Sequence, residues 1–264
     1  MSSSAQPEVG STVQVYFKPN VSYTLSSSSG AHLNCAVRNL IEVREAGANA
    51  DESHPLHGKR MVQVIYHAQL YSTSAVDQNA DEKPIDVALK WATGMRYVDL
   101  LLKEARFYED QLKSLQGIAV PEFYGFYVGR VNDIDIGCLL IEWCDGEPHL
   151  DLWERNRQKL LAAARIHRVR VCHGRLSDDE HFVVSSKDNT MRIVNFSHAS
   201  LHHCPGGTPL MLNPADSKDT PEKCSFCPEL ALLEETYGPD TGQDGYRLRQ
   251  ANGLYHSSWF DPWM

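Results

Sequence analysis

Histidine and cysteine residues lie close together near the end of this 264-residue sequence. His202, His203 and Cys204 are consecutive, and Cys224 and Cys227 follow with C-x2-C spacing. Thiolate and imidazole groups are preferred ligands of Zn²⁺, and three cysteines with one histidine form a known structural set. The sequence therefore predicts a zinc site of Cys204, Cys224, Cys227 and either His202 or His203. Because a single C-x2-C is weaker evidence than a pair, buried free thiols with surface histidines stay open as the alternative.

An acidic run, Asp178-Asp179-Glu180, offers ligands of a different kind. Carboxylate oxygens are hard ligands that suit Mg²⁺ or Mn²⁺, so three of them beside a phosphate pocket would form a metal site. The simpler interpretation is a solvated surface turn.

The composition excludes several classes of protein. The formal net charge of −9 argues against binding to a nucleic-acid backbone, which requires clustered lysine and arginine. The sequence has no apolar run of roughly 18 residues, and its beginning lacks the basic and apolar regions of a secretory signal. Seven cysteines without the density of a disulfide framework indicate a reducing compartment. We therefore expect a cytoplasmic or nuclear protein with no membrane segment.

Hydrophobic patterns predict the elements that position these residues. Alternating or continuous apolar stretches predict six strands: Ser11–Leu25, Cys35–Val43, Met61–Tyr71, Ile85–Trp91, Phe123–Val128 and Gly137–Trp143. Apolar spacings of three and four residues predict a helix over Gly94–Leu115, and further helices are expected over Leu152–Val169 and near Pro228–Tyr237. A short hairpin is predicted from His181–Val184 and Arg192–Phe196. The helix over Gly94–Leu115 should pack a face of Leu101, Leu102, Ala105 and Leu112 on the sheet.

The order of these elements predicts an α+β protein in which a strand-rich part precedes a more helical part. Residues 1–10 are rich in serine, and we expect them to be flexible. Residues 11–144 should form the strand-rich lobe with its helix, and residues 145–264 the helical lobe.

Several short segments, taken in order, resemble the motifs of a protein kinase domain. The first is Val87-Ala88-Leu89-Lys90, which resembles V-A-I-K, and Glu104 follows on the predicted helix. Three more occupy the places of the hinge, of H-R-D-L and of the approach to D-F-G: Ile141–Cys144, His173–Leu176 and Arg192–Ser197. The local amino-acid sequence is most similar to that of kinase-like proteins from filamentous and mushroom-forming fungi, over about residues 35–205.

This resemblance implies a two-lobed protein-kinase-like fold with a shortened helical C-lobe, since few residues follow Ser197. It also implies that Lys90, held by Glu104, contacts nucleotide phosphates. Glu142, Trp143 and Cys144 would then contact adenine. The alternative for Lys90 is an ammonium group that simply reaches solvent at a sheet edge.

The residues that perform catalysis in a kinase are replaced in this chain. Arg175, two residues after His173, stands in place of the aspartate base, and its protonated guanidinium has no acceptor atom. Asn195 stands in place of the metal-binding aspartate and has no charge to hold Mg²⁺. Glu180 falls where the catalytic-loop asparagine is expected, or His181 does if one residue is inserted, and no glycine-rich loop is present. We therefore expect no catalytic residue at these positions and no phosphotransfer.

Three functions stay open. The first is a pseudokinase, a binding or regulatory module for another protein, with weak ATP binding and without Mg²⁺. The second is an atypical ATP-dependent phosphotransferase in which Asp178, Asp179 or Glu180 supplies the base and the metal ligands. The third is a zinc-stabilised interaction protein that binds no nucleotide. In each case the expected partner is another protein rather than nucleic acid or a membrane.

Overall fold

The computed structural model describes residues 11–18, 20–27, 34–46, 63–72, 83–147, 151–204 and 227–238. These residues divide into two compact units. The first contains the described residues up to Asp145 together with Asn195–His198. The second contains Gly146–Val194 and the described residues from Ala199 onward. The sequence predicted a boundary after residue 144, and the flexible segment predicted at residues 1–10 lies outside the described residues.

Seven strands of the first unit form a closed β-barrel. In chain order they are β1 (Thr12–Lys18), β2 (Val21–Ser27), β3 (Cys35–Ala46), β4 (Gln63–Ser72), β5 (Ile85–Thr93), β6 (Phe123–Val131) and β7 (Ile134–Glu142). The order around the barrel is β1-β2-β6-β7-β5-β4-β3. The barrel closes where β1 pairs in parallel with β3, while the other neighbouring strands are antiparallel.

Alternate residues of each strand fill the inside of the barrel, because successive side chains of a strand point to opposite faces. On β5, Val87, Leu89 and Trp91 belong to this apolar interior. Ala88 and Lys90 alternate with them and therefore lie on the outer wall of the barrel.

One helix, α1 (Met95–Glu109), packs on this outer wall against β5, β6 and β7. Leu101 and Ala105 of the predicted apolar face are fully buried, whereas Leu102 is half-buried. Gly137 on β7 allows the close approach, because a Cβ there would lie 3.3 Å from a methyl carbon of Val98 on α1. The helix ends at Glu109, earlier than predicted, and a short 3₁₀ turn follows.

The second unit contains two helices, α2 (Leu152–Arg168) and α3 (Pro228–Tyr237). The carboxylate of Asp151 begins α2 by accepting the backbone N–H of Glu154 at 2.8 Å. Four short strands accompany the helices: β8 (Val171–Cys172), β9 (Phe182–Val184), β10 (Met191–Ile193) and β11 (Ser200–Leu201). β9 pairs with β10 and β8 pairs with β11, both antiparallel. No helix in the described ranges is long and apolar enough to cross a membrane.

The prediction of a two-lobed protein-kinase-like fold with a shortened helical C-lobe is wrong. The strands close into a seven-stranded barrel, and the described residues contain three α-helices of at most 17 residues. The individual elements were nevertheless placed well, with Ser11–Leu25 proving to be two strands rather than one. Local patterns specify strands and helices, but the parallel pairing of β1 with β3 is a long-range contact that no local pattern reveals.

Candidate functional site

The first candidate site is the ion pair between Lys90 and Glu104. β5 presents Lys90 on the outer wall of the barrel, and α1 places Glu104 against it. The ammonium of Lys90 donates to both carboxylate oxygens, at 2.7 and 3.0 Å. The two side chains are 6% and 0% exposed. The predicted contact between them is confirmed, whereas its role in nucleotide binding stays a prediction.

Burial makes this ion pair costly as well as strong. Removing a charge from water costs several kcal/mol per ion, and the attraction between the charges offsets that cost only when the remaining donors are also satisfied. An ammonium group has three N–H donors. Among the described residues, Lys90 finds acceptors only on Glu104. One donor of a nearly buried cation is therefore left without an acceptor in this part of the chain.

Tyr108 provides a second buried donor one helical turn after Glu104. Its ring stacks on Phe123 with the centroids 5.6 Å apart. Its hydroxyl group is buried and has no hydrogen-bond partner within the described ranges. Burial, and then the electrostatic influence of Glu104 and Cys144, raises the pKa of Tyr108 well above its usual value. The hydroxyl group therefore keeps its proton.

The segment that resembles the approach to D-F-G packs against the same helix. Phe196 is buried, and its ring meets Tyr108 edge-on with the centroids 5.5 Å apart. The hydroxyl group of Ser197 donates to the side-chain carbonyl oxygen of Asn195 at 3.0 Å. Asn195 has a φ of 73°, in the left-handed region that asparagine tolerates better than most residues. Its amide oxygen is therefore already engaged within the segment.

The three predicted adenine contacts lie where β7 ends. The carboxylate of Glu142 is buried and accepts the backbone N–H of Glu122 at 3.2 Å. Trp143 stacks on His67 with the centroids 4.5 Å apart and the rings 14° from parallel. Cys144 is half-buried. Glu142 thus has a structural contact, the aromatic pair was not predicted, and contact with adenine stays a prediction.

Two positions that resemble the catalytic loop lie in the second unit. The ring of His173 is buried, with Nε2 2.9 Å from the carbonyl oxygen of Val194. Arg175 is exposed. The histidine therefore supports the backbone, and the arginine offers a fixed positive charge to solvent.

The three residues of the acidic run, predicted as an alternative metal site, do not form one cluster in the structure. Asp179 forms an ion pair with Lys159. The ligand atoms of Asp178, Glu180 and His181 lie within 4.8 Å of one another. The two carboxylates are exposed, as carboxylates on protein surfaces commonly are without a metal. His181, which the sequence did not single out for this site, takes the place of Asp179.

The predicted zinc ligands belong to the second unit, and the structure brings three of them together. His202, Cys204 and Cys227 lie in one cluster with His167, and the four ligand atoms are within 4.8 Å of one another. His203 is exposed and is not part of this cluster. The fourth predicted ligand, Cys224, lies outside the described residues. We refer to His167, His202, Cys204 and Cys227 as the His/Cys cluster.

The distances within the His/Cys cluster are short. The sulfur of Cys227 lies 3.5 Å from Nε2 of His202 and 3.6 Å from Nδ1 of His167. Burial, and then the neighbouring His167, lowers the pKa of His202 below its usual value. A neutral imidazole has a lone pair on one nitrogen and is the form that binds metals.

A buried carboxylate lies directly behind the cluster. Glu229 on α3 contacts Nε2 of His167 at 2.7 Å and accepts the backbone N–H groups of His173 and Gly174. Burial alone would raise the pKa of Glu229, but these hydrogen bonds, the one from His167 above all, lower it below the usual value. Glu229 is therefore ionised and holds His167 in a fixed orientation.

Sequence reasoning missed His167, Glu229 and Tyr108. Each lies on a predicted helix, where a histidine, a glutamate or a tyrosine is unremarkable by itself. His167 and Glu229 become neighbours only when α2 and α3 pack together. No spacing rule connects residues so far apart in the sequence.

No protein-family model matches this chain, and no curated protein matches it either. The class of protein is therefore defined by its fold and its sites. It has a closed seven-stranded barrel with a buried ion pair under one helix, and a second unit with a His/Cys cluster between two helices.

Proposed function

We propose that this protein is a binding module that holds a phosphate-bearing ligand, such as a nucleotide, at the Lys90–Glu104 pair without phosphotransfer. The observation that carries the proposal is the buried ammonium group of Lys90, which Glu104 anchors and which has a donor to spare within the described residues. The resemblance to kinase-like proteins assigns the same role to Lys90. Since the fold expected from that resemblance is wrong, the proposal depends on the ion pair itself.

A phosphate oxygen suits this position for physical reasons. It is an anionic acceptor, and hydrogen bonds between charged groups are stronger than those between neutral ones. The remaining N–H of Lys90 and the O–H of Tyr108 are both buried donors, and both lack an acceptor in the described part of the chain. Because Glu104 already holds the ammonium group in one orientation, a ligand would not bear the entropic cost of ordering it.

Phosphoryl transfer requires a base at the attacking hydroxyl group and a metal that bridges the phosphates, and the positions that resemble those of a kinase supply neither group. Arg175 cannot accept a proton. Asn195 is neutral, and its amide oxygen already accepts a hydrogen bond from Ser197. We therefore expect ligand binding that is weak, independent of Mg²⁺ and not followed by turnover.

A second candidate is an atypical phosphotransferase, and one observation favours it. Asp178, Glu180 and His181 bring two carboxylates and an imidazole within 4.8 Å. Under this candidate, the purified protein consumes ATP with Mg²⁺ or Mn²⁺, and the substitution Asp178→Ala abolishes that activity. The first proposal predicts no consumption of ATP with either metal.

The proposed function is tested by thermal unfolding in the presence of ATP, pyrophosphate, AMP or adenosine, with and without Mg²⁺. We expect ATP and pyrophosphate to raise the melting temperature more than adenosine does, and Lys90→Met to remove that difference. The matched control is Lys103→Met, because Lys103 is an exposed lysine on the same helix as Glu104. Equal responses from the wild-type protein and Lys90→Met would contradict the proposal.

We also propose that the module acts in the cytoplasm or the nucleus, through another protein rather than nucleic acid or a membrane. The net charge of −9 disfavours a nucleic-acid partner. The six cysteines of the described ranges are all free thiols, which is typical of a reducing compartment.

A further inference from the structure

The His/Cys cluster joins residues from three separate segments of the second unit. His167 lies in the last turn of α2, His202 and Cys204 follow β11, and Cys227 immediately precedes α3. Two thiols and two imidazoles converge with all ligand atoms within 4.8 Å. This arrangement offers four soft or borderline donors and no hard carboxylate among the converging atoms.

The spacing of the cluster fits a tetrahedral metal ion. With Zn–S bonds of about 2.3 Å and Zn–N bonds of about 2.0–2.1 Å, tetrahedral angles place a sulfur and a nitrogen roughly 3.6 Å apart. The two sulfur–nitrogen distances from Cys227 are 3.5 and 3.6 Å. These two pairs of atoms are therefore already at nearly the separation that zinc imposes, and the remaining ligand atoms of the cluster lie within 4.8 Å of one another.

A thiol hydrogen bond does not explain this convergence equally well. The S–H of Cys227 can donate only one hydrogen bond and its sulfur is a weak acceptor, so hydrogen bonds hold its contacts with nitrogens of both His167 and His202 only weakly. Nε2 of His167 contacts Glu229 at 2.7 Å, so Nδ1 is the ring nitrogen that faces the cluster. A divalent cation can accept the lone pairs of both histidines at once.

Glu229 completes the pattern that metal-binding histidines usually show. A histidine ligand commonly donates its other ring N–H to a carboxylate, which fixes the tautomer and the orientation of the ring. Glu229 is 4% exposed and is itself held by the backbone N–H groups of His173 and Gly174. The orientation of His167 is thus fixed before any metal binds.

We propose that His167, His202, Cys204 and Cys227 bind one Zn²⁺ ion in a closed, tetrahedral, structural site. Two thiolates neutralise the charge of the ion, and four protein ligands leave no open position for water or substrate. The site differs from the one predicted from the sequence, because His167 from α2 takes the place of Cys224. The metal ties the end of α2 to the segment after β11 and to the beginning of α3.

The first experiment measures metal content in the full chain purified without chelator. We expect one zinc per chain, and Co²⁺ substituted for it should give the visible bands of tetrahedral cobalt with thiolate-to-cobalt charge transfer. His167→Gln, Cys204→Ser and Cys227→Ser should each lose the bound metal. His203→Gln is the matched control, because this exposed histidine lies between two of the proposed ligands and should keep the metal.

Two further variants separate the proposed ligand set from its rival. Cys224→Ser should keep one zinc per chain, whereas the set predicted from the sequence requires its loss. Glu229→Gln should keep the tetrahedral cobalt spectrum and weaken zinc affinity about 10–100-fold, since Glu229 acts by positioning His167. The cobalt spectrum reports the ligand set directly. It therefore distinguishes a lost ligand from a loss of stability in the variant.

Two results would overturn the proposal. One is a wild-type chain that holds neither zinc nor cobalt with thiolate charge transfer. The other is loss of the metal from Cys224→Ser together with its retention by His167→Gln. Either result leaves the phosphate-ligand proposal intact, because Lys90→Met should not change the zinc content.

Discussion

The Lys90–Glu104 pair and the His/Cys cluster meet the cost of burial in different ways. In the barrel unit, Lys90 and Glu104 carry opposite charges that neutralise each other across 2.7 Å. In the second unit, the ligand atoms of the His/Cys cluster converge within 4.8 Å of one another, and the carboxylate of Glu229 contacts the outer nitrogen of His167. A pair that is balanced in charge lacks only a hydrogen-bond acceptor, so it suits a small ligand oxygen. A set of converging thiol and imidazole groups offers soft or borderline donor atoms, so it suits a metal ion.

The largest expected effect comes from leaving one charge of the ion pair alone. Lys90→Met strands the fully buried Glu104 and should lower the free energy of unfolding by about 3–5 kcal/mol. The double variant Lys90→Met with Glu104→Leu should recover most of that loss, because apolar residues often replace a buried ion pair without penalty. Urea unfolding of the three chains checks this. A single variant as stable as the wild type would show that the pair is not effectively buried.

Removal of zinc should have the next largest effect, on the second unit. A ligand that binds only the folded state adds about 2.7 kcal/mol when its free concentration is about 100 times Kd. Chelation should therefore lower the temperature at which the second unit unfolds. The thermal response to ATP should persist in the chelated protein, because the Lys90–Glu104 pair lies in the other unit. A melting curve unchanged by the chelator would show that the His/Cys cluster binds no metal that stabilises the second unit.

Tyr108→Phe should have a smaller effect on the free energy of unfolding, and it should raise this free energy rather than lower it. The substitution removes a buried hydroxyl group that has no partner in the described part of the chain, and an unsatisfied buried donor costs about 1–3 kcal/mol. The variant should be more stable by about 1 kcal/mol and yet bind ATP less tightly. Unfolding and binding measured on the same sample test both signs. A destabilised variant would mean that the hydroxyl group has an acceptor in the folded protein.

The smallest expected change in the free energy of unfolding comes from a partly exposed ion pair in α2. Arg157 donates two hydrogen bonds of 2.6 Å to Glu154, and these bonds lower the pKa of Glu154 below its usual 4.5. The pair thus adds stability that is fully present above about pH 4.5 and is lost as the pH falls through the lower, folded-state pKa. Because such pairs contribute about 0.2–1 kcal/mol, Glu154→Gln should cost no more than that at pH 7 and should remove this part of the acid sensitivity. Unfolding measured at pH 7 and below pH 4 checks both effects.

The sequence predicted more of the barrel site than of the cluster, for a physical reason. Lys90 interrupts an apolar strand, and Glu104 follows on a helix that packs on that strand, so both residues belong to neighbouring elements. Their contact requires only that the strand and the helix pack together. β5 and α1 do so on the outer wall of the barrel. The closure of the barrel was missed, but it does not alter this contact.

The cluster was predicted in part, since Cys204, Cys227 and His202 stand out by residue type. His167 was missed because its partners lie far away in the sequence and α2 meets α3 only in the folded chain. Glu229 was missed for the same reason. A metal site built from three segments can be anticipated from its soft ligands, but its full set is defined by packing.

Calorimetric titration with ATP in the absence of Mg²⁺ tests the central claim most directly. The wild-type protein should bind one ATP per chain without forming ADP, while Lys90→Met should bind none and should keep its zinc. Equal binding heats for the wild-type protein and Lys90→Met would contradict the account. ADP that accumulates during the titration of the wild-type protein would contradict it as well.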